Sequence, residues 1–454
     1  MSQTAAVILA AGLGKRMRSD LPKVLHRVAG RPMLQYVVDA ARAACVARIV
    51  VVLGHGGEQV RAALDAGIET VVQPEQRGTA DAVLTARSLL DGDSTCQDVL
   101  IANGDCPLLT GALFQTLIAE RRRSGAAIAM VVTPLPDPTG YGRVLRDDSG
   151  HVLGVVEEAA ANDAERAIRE VNAGVYCIDA AWLWERLPAV PRSASGEYYL
   201  TDLVALAVAD ERIVRTIEAP LEITSGVNDR RQLAVAERQL RDRIRQELML
   251  AGVTILDPST TYVDSMVTIG RDTTLYPGTI IEGSTVIGSG CVIGPYSRIV
   301  DSQIGANVIV NASVVEQAKV GDRVKIGPFS HLRPGARIEA DAYIGNYAEV
   351  KNARIGAASQ MHHFSYIGDA DIGCGVNVGA GTITCNFDSE SGVKNRTTVG
   401  DGASLGSDTM LVAPVNVGER AMTGAGSVVN RDVKPEMVVV GVPARPLRRR
   451  APPS

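Results

Sequence analysis

The sequence predicts two domains of different fold class, an α/β domain over residues 1–230 and a parallel β-helix over residues 252–454. Apolar strands that alternate with helical segments predict the first domain. An aliphatic residue at every sixth position predicts the second, because that period fits neither a helix nor an isolated strand. Residues 231–251 predict a helical linker. At 454 residues the chain is long enough for two separate hydrophobic cores.

Composition and charge limit the compartment and the class of partner. The formal net charge of −5 argues against nucleic acid as the main partner. The 7 cysteines are scattered and include no CxxC pair, which favours a reducing compartment. Residues 5–11 are apolar but too short for a membrane span, and no basic run precedes them. We therefore expect a cytoplasmic protein with no membrane span.

The first domain contains five expected strands with helical segments between them. The helical segments include Met33–Ala44 and Asp81–Leu90. The strands are Ala5–Leu9, Arg48–Leu53, Val99–Ala102, Ala127–Val132 and Val171–Ile178. This alternation predicts a mostly parallel, Rossmann-like sheet, in which ligands bind at the carboxyl ends of the strands.

A glycine-rich loop follows the first strand, with the sequence LAAGLGKRM before Leu21-Pro22-Lys23. Glycines let backbone N–H groups approach phosphate oxygens, and Arg16 and Lys23 add positive charge. The loop is neither GxGxxG nor a Walker A motif. The simpler interpretation is a glycine-rich turn with surface basic residues.

Two further segments point to the same edge of the sheet. Gly78 and Thr79 enter a helix shortly after Gln73, and Asp105 follows the strand Val99–Ala102. Mg²⁺ binds one or two carboxylates together with substrate phosphates, so a strand-end Asp is a natural ligand. A simple Gly-Asp turn is the alternative.

The second domain carries the six-residue period. A short strand supplies one inward aliphatic residue per side, and three sides of about six residues close one coil of roughly eighteen residues. The region therefore predicts on the order of ten coils. The expected inward positions are Ile269, Leu275, Ile281, Ile287, Ile293, Ile299, Ile304, Val310, Val314, Val320, Ile326, Leu332, Ile338, Ile344, Val350, Ile355, Met361, Ile367, Ile372, Val378, Val399, Leu405, Leu411, Val417, Thr423 and Val429.

Polar residues that a β-helix does not need for its own fold occur between positions 333 and 377. They are Arg333, Glu349, Lys351, His362, His363, Tyr366 and Asn377. The period breaks after Thr384, and Cys385–Thr398 is expected to form an inserted loop, where β-helix proteins place binding residues. Strand alternation would send His362 and His363 to opposite faces.

The linker has the pattern of an amphipathic helix. Its apolar residues recur at intervals of three or four, with charged residues elsewhere. They are Leu233, Ala236, Leu240, Ile244 and Leu248.

The phosphate-loop motif LAAGxGxRM with Pro22-Lys23 resembles the sugar-nucleotidyltransferase signature. Together with the hexapeptide repeats, nearly the whole chain resembles the GlmU family of bifunctional bacterial enzymes, which are both N-acetylglucosamine-1-phosphate uridyltransferases and glucosamine-1-phosphate N-acetyltransferases. The resemblance implies a nucleotidyltransferase domain followed by a left-handed parallel β-helix. It also implies a cytoplasmic homotrimer that supplies UDP-N-acetylglucosamine for cell-wall synthesis.

The resemblance assigns roles in the first domain. The reaction it implies joins UTP to N-acetylglucosamine 1-phosphate, with Mg²⁺ bound by Asp105 and Asn228, and with Arg16 and Lys23 neutralising charge. The implied nucleotide and sugar-nucleotide contacts are Leu9, Ala10, Ala11, Gly12, Lys23, Gln73, Gly78, Thr79, Asn103, Gly104, Asp105, Gly142, Glu157, Asn172 and Asn228.

The resemblance also assigns roles in the β-helix, where glucosamine 1-phosphate would receive an acetyl group from acetyl-CoA. His363 would be the general base, and Glu349 would orient or polarise it. Glucosamine 1-phosphate would be bound by Arg333, Lys351, Tyr366 and Asn377, and acetyl-CoA by Ala380, Asn386, Phe387, Ser407 and Ala425. Three positions depart from the usual family residues: Asn103 and Phe387 replace Tyr, and Gly441 replaces Arg.

Three other functions compete with this interpretation. The first is a single-activity nucleotidyltransferase whose β-helix only oligomerises or regulates. The second is a β-helix metal enzyme of the carbonic anhydrase type, for which His331, His362 and His363 could supply ligands. The third is a non-enzymatic scaffold.

Overall fold

The computed structural model describes residues 3–92, 95–194 and 196–450. The chain divides into two compact units, Met1–Leu240 and Arg241–Ser454.

Short apolar segments of the first unit form strands, as the sequence predicts. Within the described residues they are β1 Gln3–Ala10, β2 Arg27–Val28, β3 Arg31–Pro32, β4 Arg48–Leu53, β5 Glu69–Val72, β6 Cys96–Asn103, β7 Ile128–Pro134, β8 Arg143–Arg146, β9 Val152–Val156, β10 Glu170–Asp179 and β11 Val214–Glu218.

The helices lie between these strands or follow the last of them. Those in the described ranges are α1 Met33–Ala43, α2 Gly57–Ala62, α3 Thr79–Leu90, α4 Gly111–Ser124, α5 Asp163–Arg166, α6 Ala180–Arg186, α7 Asp202–Ala209, α8 Leu221–Thr224 and α9 Arg230–Leu250. Short 3₁₀ turns occur at Lys15–Met17, Lys23–Leu25 and Leu187–Ala189.

The main sheet of the first unit is mostly parallel. Its strand order is β11-β7-β10-β6-β1-β4-β5, with the β8–β9 hairpin attached to β10. β10 runs antiparallel to both of its neighbours in this order, β6 and β7. No long crossover helix returns the chain between β7 and β10, so β10 begins near the edge at which β7 ends. The sequence alone did not predict this reversal.

Alternate side chains of each strand point to opposite faces of the sheet. Helices cover both faces, so each face packs into its own hydrophobic cluster. On β1, Val7 belongs to one cluster and Ile8 to the other. The first cluster includes α3, α6 and α7, and the second includes α1 and α4. This layered packing fixes β1 and β6, whose carboxyl ends carry the predicted phosphate loop and Asp105.

The predicted linker is a single helix, α9. Ala236 and Leu240 are buried in its first half, and Ile244 and Leu248 pack against the core of the second unit. The apolar spacing that predicted the helix therefore corresponds to its buried side.

The second unit is a β-helix of three parallel sheets, which we call its first, second and third faces. In the described residues the first face has 12 strands, the second 10 and the third 9, in agreement with about ten coils. The first-face strands are Thr254–Ile255, Thr274–Leu275, Val292–Ile293, Ile309–Val310, Lys325–Ile326, Tyr343–Ile344, Gln360–Met361, Asn377–Val378, Ser404–Leu405, Met422–Thr423, Met437–Val440 and the antiparallel Arg445–Arg449.

The other two faces repeat the same short strands. The second-face strands are Tyr262–Val263, Ile280–Glu282, Arg298–Val300, Val314–Glu316, His331–Leu332, Ala348–Lys351, Ser365–Gly368, Ile383–Cys385, Met410–Val412 and Val428–Val429. The third-face strands are Thr268–Ile269, Val286–Ile287, Gln303–Ile304, Lys319–Val320, Arg337–Ile338, Arg354–Ile355, Ala370–Ile372, Thr397–Val399 and Val415–Val417.

The periodic aliphatic residues form a continuous core along the β-helix. One predicted position is wrong: Val315, not Val314, is the fully buried residue of its strand. Val315 pairs with the inward Ile299 of the preceding coil, so the step from Val310 is five residues. Ile269, near the start, is only partly buried.

The inserted loop is shorter than predicted. The strand Ile383–Cys385 precedes it and Thr397–Val399 follows it, so the loop covers residues 386–396. Phe387 and Lys394 pair across it as an isolated antiparallel bridge.

Candidate active sites of the two units

A cavity of about 300 Å³ lies at the carboxyl ends of β1 and β6 in the first unit. Its lining includes ten of the residues predicted for the nucleotide site, which the structure therefore brings together. The lining residues are Leu9, Ala10, Ala11, Gly12, Lys23, Val24, Gln73, Gln76, Gly78, Thr79, Ala82, Asn103, Asp105, Glu197 and Tyr199.

Gly14 shapes the loop that leads from β1 to Lys23. Its φ is +60°, and a Cβ atom there would lie 2.8 Å from Lys23 Cβ. Glycine therefore permits the close approach that sets Lys23 beside the cavity. Arg16 is exposed on the same loop and does not line the cavity.

Lys23, Asp105 and Asn228 converge on one point, although they are far apart in sequence. The Lys23 ammonium donates to Asp105 Oδ2 and, at 3.1 Å, to Asn228 Oδ1. The backbone N–H of Val227 donates to the Asp105 carbonyl at 2.9 Å, which fixes the Asn228 loop against β6. The predicted metal ligands are thus adjacent, and an ammonium group bridges them.

The oxygens of Asp105 and Asn228 fit a hard cation, because Mg²⁺ prefers carboxylate and amide oxygens. Their shared contact with a cationic side chain is independent support for a cation-binding point. In the described part of the chain, no group of three or more His, Cys, Asp or Glu side chains could hold a metal ion.

Gly78, at the N-terminus of α3, allows the segment that contains Tyr198 to pack closely against the chain. Its φ is +110°, and a Cβ atom would lie 2.4 Å from the Tyr198 carbonyl oxygen. Thr79 Oγ1 accepts from the backbone N–H of Leu200 at 2.9 Å. Gln73 Nε2 donates to Asp81 Oδ2 at 2.7 Å, so its side chain also orders the start of α3.

The residues predicted for the sugar form a second, neighbouring group. A Cβ atom on Gly142 would lie 3.4 Å from Glu157 Oε2, and Asn172 donates its backbone N–H to the Gly142 carbonyl at 2.9 Å. A Cβ atom on Gly174 would lie 2.8 Å from Asn103 Nδ2. These contacts connect the predicted sugar residues to the β6 end of the cavity.

Glu157 is held in a partly desolvated position. Thr201 Oγ1 donates to Glu157 Oε1 at 2.8 Å. Burial raises the pKa of the Glu157 carboxyl, an effect that this hydrogen bond only partly offsets.

Five cavity residues were not predicted: the apolar Val24 and Ala82, and the polar Gln76, Glu197 and Tyr199. Gln76 Nε2 donates to the Ala11 carbonyl at 2.5 Å, which joins two loops of the cavity. Gln76 lies two positions before Gly78 in the same segment, so its position in the sequence could have indicated that it lines the cavity. Glu197 and Tyr199 come from a distant part of the chain, with no motif to mark them.

In the β-helix, Arg333, Glu349 and Tyr366 lie together on the second face. Arg333 Nη1 donates to Glu349 Oε1 at 2.6 Å, and Glu349 pairs in register with Tyr366 of the next coil. Val350 is fully buried between Glu349 and Lys351, as the alternation predicts. Neighbouring coils thus supply cation, carboxylate and phenol to one surface.

Lys351 stands among positive charges. Lys394, and to a lesser extent Arg333, lower the pKa of the Lys351 ammonium by charge repulsion. Lys394 comes from the inserted loop, which was predicted to bind but without this residue. A cluster of three cations is the surface that an anion such as a sugar phosphate would neutralise.

The prediction that His362 and His363 point to opposite faces is wrong. They lie in the turn between the strands Gln360–Met361 and Ser365–Gly368, where strand alternation does not apply, and both are exposed. The His362 ring packs edge-on against Tyr343 with centroids 4.7 Å apart. His363 makes no hydrogen bond among the residues that the structure describes.

The turns that join the first face to the second stack along the axis as one edge, which we call the first corner. His363 lies on it, and Ala380, Ser407 and Ala425 follow in the next three coils. Asp408 donates its backbone N–H to the Ala380 carbonyl at 2.6 Å, and Gly426 to the Ser407 carbonyl at 2.8 Å. The predicted acetyl-CoA contacts therefore form a line that begins at the predicted base.

The remaining predicted residues lie around this corner. Asn386 is buried, and its amide donates to Asp369, so it supports the inserted loop. Phe387 is exposed on that loop. Asn377 is exposed on the first face, whereas Tyr366 is on the second, so one chain places these two on different faces.

His331 does not join the other histidines. Its Nε2 lies 3.0 Å from Glu316 Oε2. Nothing in this arrangement supports the metal-enzyme alternative.

Comparison with known proteins agrees with the two-unit architecture. The family of MobA-like NTP transferase domains matches residues 6–174. The family of bacterial transferase hexapeptides, of six repeats, matches residues 266–300 and 317–352.

Full-length relatives decide the family. The bifunctional protein GlmU of Heliobacterium modesticaldum is 47% identical over 438 residues, which cover 95% of this chain and 94% of the relative. That of Trichlorobacter lovleyi is 47% identical over 446 residues, or 97% of this chain and 96% of the relative. That of Pelotomaculum thermopropionicum is 49% identical over 414 residues, or 90% of each.

The chain belongs to the GlmU family. The predicted enzyme class, a bifunctional uridyltransferase and acetyltransferase, is confirmed by this membership. In a GlmU protein, the first unit corresponds to the nucleotidyltransferase and the β-helix to the acyltransferase. Along the described residues, no helix is both long and apolar enough to cross a membrane.

Proposed function

We propose that the first unit joins UTP to N-acetylglucosamine 1-phosphate in the cavity at the ends of β1 and β6. The observation that carries this proposal is the convergence of Lys23, Asp105 and Asn228 beside the glycine loop. Both reactants are anions, so catalysis depends on alignment and charge neutralisation. Mg²⁺ held by Asp105 and Asn228 would neutralise phosphate charge when bound.

In this reaction an oxygen of the sugar phosphate forms a bond to the α-phosphorus of UTP. The bond from that phosphorus to the bridging oxygen breaks, and pyrophosphate leaves with the electron pair. Lys23 and the loop amides after Leu9 would stabilise the developing charge, and Arg16 would reach the phosphates from the exposed loop. Glu157 and Asn172 would orient the sugar. No protein nucleophile is required.

The β-helix, in this proposal, transfers an acetyl group from acetyl-CoA to glucosamine 1-phosphate. The amine nitrogen attacks the thioester carbonyl carbon, the carbon–sulfur bond breaks, and the thiolate leaves and takes up a proton. His363 would remove the amine proton as general base, with its exposed position giving it access to substrate. Arg333, Lys351 and Lys394 would bind the sugar phosphate, and Glu349 and Tyr366 would orient the reacting groups.

The first corner supports this assignment of the coenzyme. Ala380, Ser407 and Ala425 are successive positions along it, so an extended coenzyme arm laid on the corner would reach His363. Asn386 and Phe387 of the inserted loop would flank that arm. Gly441 has a φ of +100°, a backbone conformation that favours glycine over the arginine usual in the family.

The assembly we propose is a homotrimer with acetyl-transfer sites shared between chains. Exposed aromatic rings follow the first corner: Tyr296 is 75% exposed, Phe329 57%, Tyr347 63% and Phe364 57%. Phe329 and Tyr347 stack with their ring centroids 5.4 Å apart, and a row of exposed aromatic rings is typical of an interaction surface. The separation of Asn377 from Tyr366 on different faces also fits sites completed by a neighbouring chain.

We further propose a cytoplasmic location. The 7 cysteines of the sequence are all free thiols, and three of them, Cys106, Cys177 and Cys291, are buried, which fits a reducing compartment.

One experiment tests both activities. The purified protein would be incubated with glucosamine 1-phosphate, acetyl-CoA, UTP and Mg²⁺, and the products separated by chromatography. UDP-N-acetylglucosamine, pyrophosphate and free coenzyme A are expected together. Uridyl transfer from N-acetylglucosamine 1-phosphate without any acetyl transfer would instead support a single-activity nucleotidyltransferase.

A further inference from the structure

Lys23 occupies the point at which a cation would meet Asp105 and Asn228. Its ammonium contacts both oxygens, and the side chains of Lys23 and Asp105 are each only 14% exposed. Among the described residues, Lys23 is the one ionic partner of Asp105. Because a part-buried carboxylate without a partner is costly, this ion pair stabilises the site in the free protein.

An ammonium and a divalent metal ion would compete for the same oxygens. Mg²⁺ binds carboxylate and amide oxygens directly, and a lysine ammonium uses those atoms as hydrogen-bond acceptors. To bind both Asp105 Oδ2 and Asn228 Oδ1, a metal ion would have to displace the ammonium from them, and it would also meet repulsion from a positive charge at close range.

The backbone of Lys23 is held in place, whereas its side chain is long and flexible. Lys23 starts a 3₁₀ turn that is held by the buried Val24 and Leu25. Its flexible four-carbon stem ends in a compact charge, and it lines the same cavity as Gly12 of the phosphate loop. An arriving triphosphate would offer the ammonium another anionic partner.

We propose that Lys23 is a tethered cation that holds the metal site closed until a nucleoside triphosphate arrives. This inference rests on the proposed uridyl transfer. In the free protein the ammonium neutralises Asp105, and divalent metal binds weakly. The triphosphate draws the ammonium away and brings its own oxygens, so metal and nucleotide enter as one unit. Removing the ammonium frees the two oxygens for metal alone.

The test is a titration of the full-length protein with Mn²⁺ in the absence of nucleotide. The concentration of free Mn²⁺ is monitored by electron paramagnetic resonance, which gives the affinity of the protein for the ion. Lys23→Met removes the charge at similar side-chain length and is expected to bind Mn²⁺ at least about tenfold more tightly than wild type. Lys23→Arg keeps a cation and is expected to stay as weak as wild type. The matched control is Lys15→Met, which removes an exposed cation of the same loop and should change the affinity by less than about twofold.

The double variant Lys23→Met, Asp105→Ala locates the effect, because it should lose the entire gain in Mn²⁺ affinity. Equal affinities of wild type and Lys23→Met would overturn the proposal, as would a gain that persists without Asp105 or appears equally in Lys15→Met. Each variant's fold is checked by circular dichroism. Uridyl transfer by wild type is measured separately, so its absence would count against the proposed function rather than this inference.

Discussion

Two adjacent histidines offer the sharpest comparison at the scale of single residues. The His362 ring packs against Tyr343, whereas His363 is exposed and accessible to a substrate. His363→Ala is expected to lower acetyl transfer by about 10²–10⁴, the usual contribution of a positioned general base. His362→Ala should cost far less, since it loses only a ring contact. Steady-state rates at saturating substrates check this, and the reverse ranking would mean that the base is misassigned.

The ionisation of Glu157 can be tested through the pH dependence of stability. Because burial raises the pKa of its carboxyl in the folded protein, the charged form opposes folding, and its cost appears as pH rises through the folded pKa. Glu157→Gln keeps an acceptor for Thr201 but cannot ionise. The variant should therefore gain thermal stability relative to wild type at neutral pH, and the difference should shrink as the pH is lowered below the normal carboxyl range.

Melting temperatures across that pH range measure the effect of Glu157→Gln. A difference that is constant with pH would show that ionisation of Glu157 does not affect stability.

The close approach of Gly78 to Tyr198 at the N-terminus of α3 can be tested by substitution. Gly78→Ala would place a Cβ atom 2.4 Å from the Tyr198 carbonyl oxygen, in addition to the strain of a φ of +110°. We expect a loss of about 1–3 kcal/mol in the free energy of unfolding, with a higher KM for UTP. Gly67→Ala is the matched control, since Gly67 has a φ of +88° but open space around it.

Denaturant titrations of these two glycine variants measure the difference. If Gly67→Ala costs as much as Gly78→Ala, the contact between Gly78 and Tyr198 is not important for stability.

The register of the β-helix is testable with two neighbouring valines. Val315 is completely buried, whereas Val314 is only partly so. Val315→Ala should lower the unfolding free energy by about 2–3 kcal/mol, from lost burial and the cavity left behind. Val314→Ala should cost less than about 1 kcal/mol. Similar losses from both would contradict the observed register.

Elements were predicted well where a local pattern defines them. The strands near residues 5–9 and 48–53, helix α9 and the repeating coils all follow from apolar periodicity. The reversal of β10 did not, because strand direction depends on how the chain returns and not on the strand's own residues. The five-residue step at Val315 was missed because either of two adjacent valines fits a slipping period.

The sites were predicted less completely, and the reason is physical. Lys23, Asp105 and His363 lie in motifs with a chemical signature. Tyr199 and Lys394 reach their sites through tertiary structure, and nothing in their local sequence indicates it. The resemblance implied that Lys23 and Asn228 share one site, but their direct contact, across 205 positions, is seen only in the folded chain.

For the two units together, we infer two chemically independent active sites, one with residues of the first unit and one with residues of the β-helix. Asp105 belongs to the sheet of the first unit and His363 to a corner of the β-helix. A direct ligand of a catalytic metal should matter at least as much as its outer-shell partners, whose loss costs about 10–100-fold.

The most direct test assays both reactions on full-length Asp105→Ala and His363→Ala. The first variant should lose uridyl transfer by at least about a hundredfold and keep acetyl transfer near the wild-type rate. The second should show the opposite pattern, and a mixture of the two variants should convert glucosamine 1-phosphate to UDP-N-acetylglucosamine. Loss of both activities in either variant, while circular dichroism shows it folded, would contradict two independent sites.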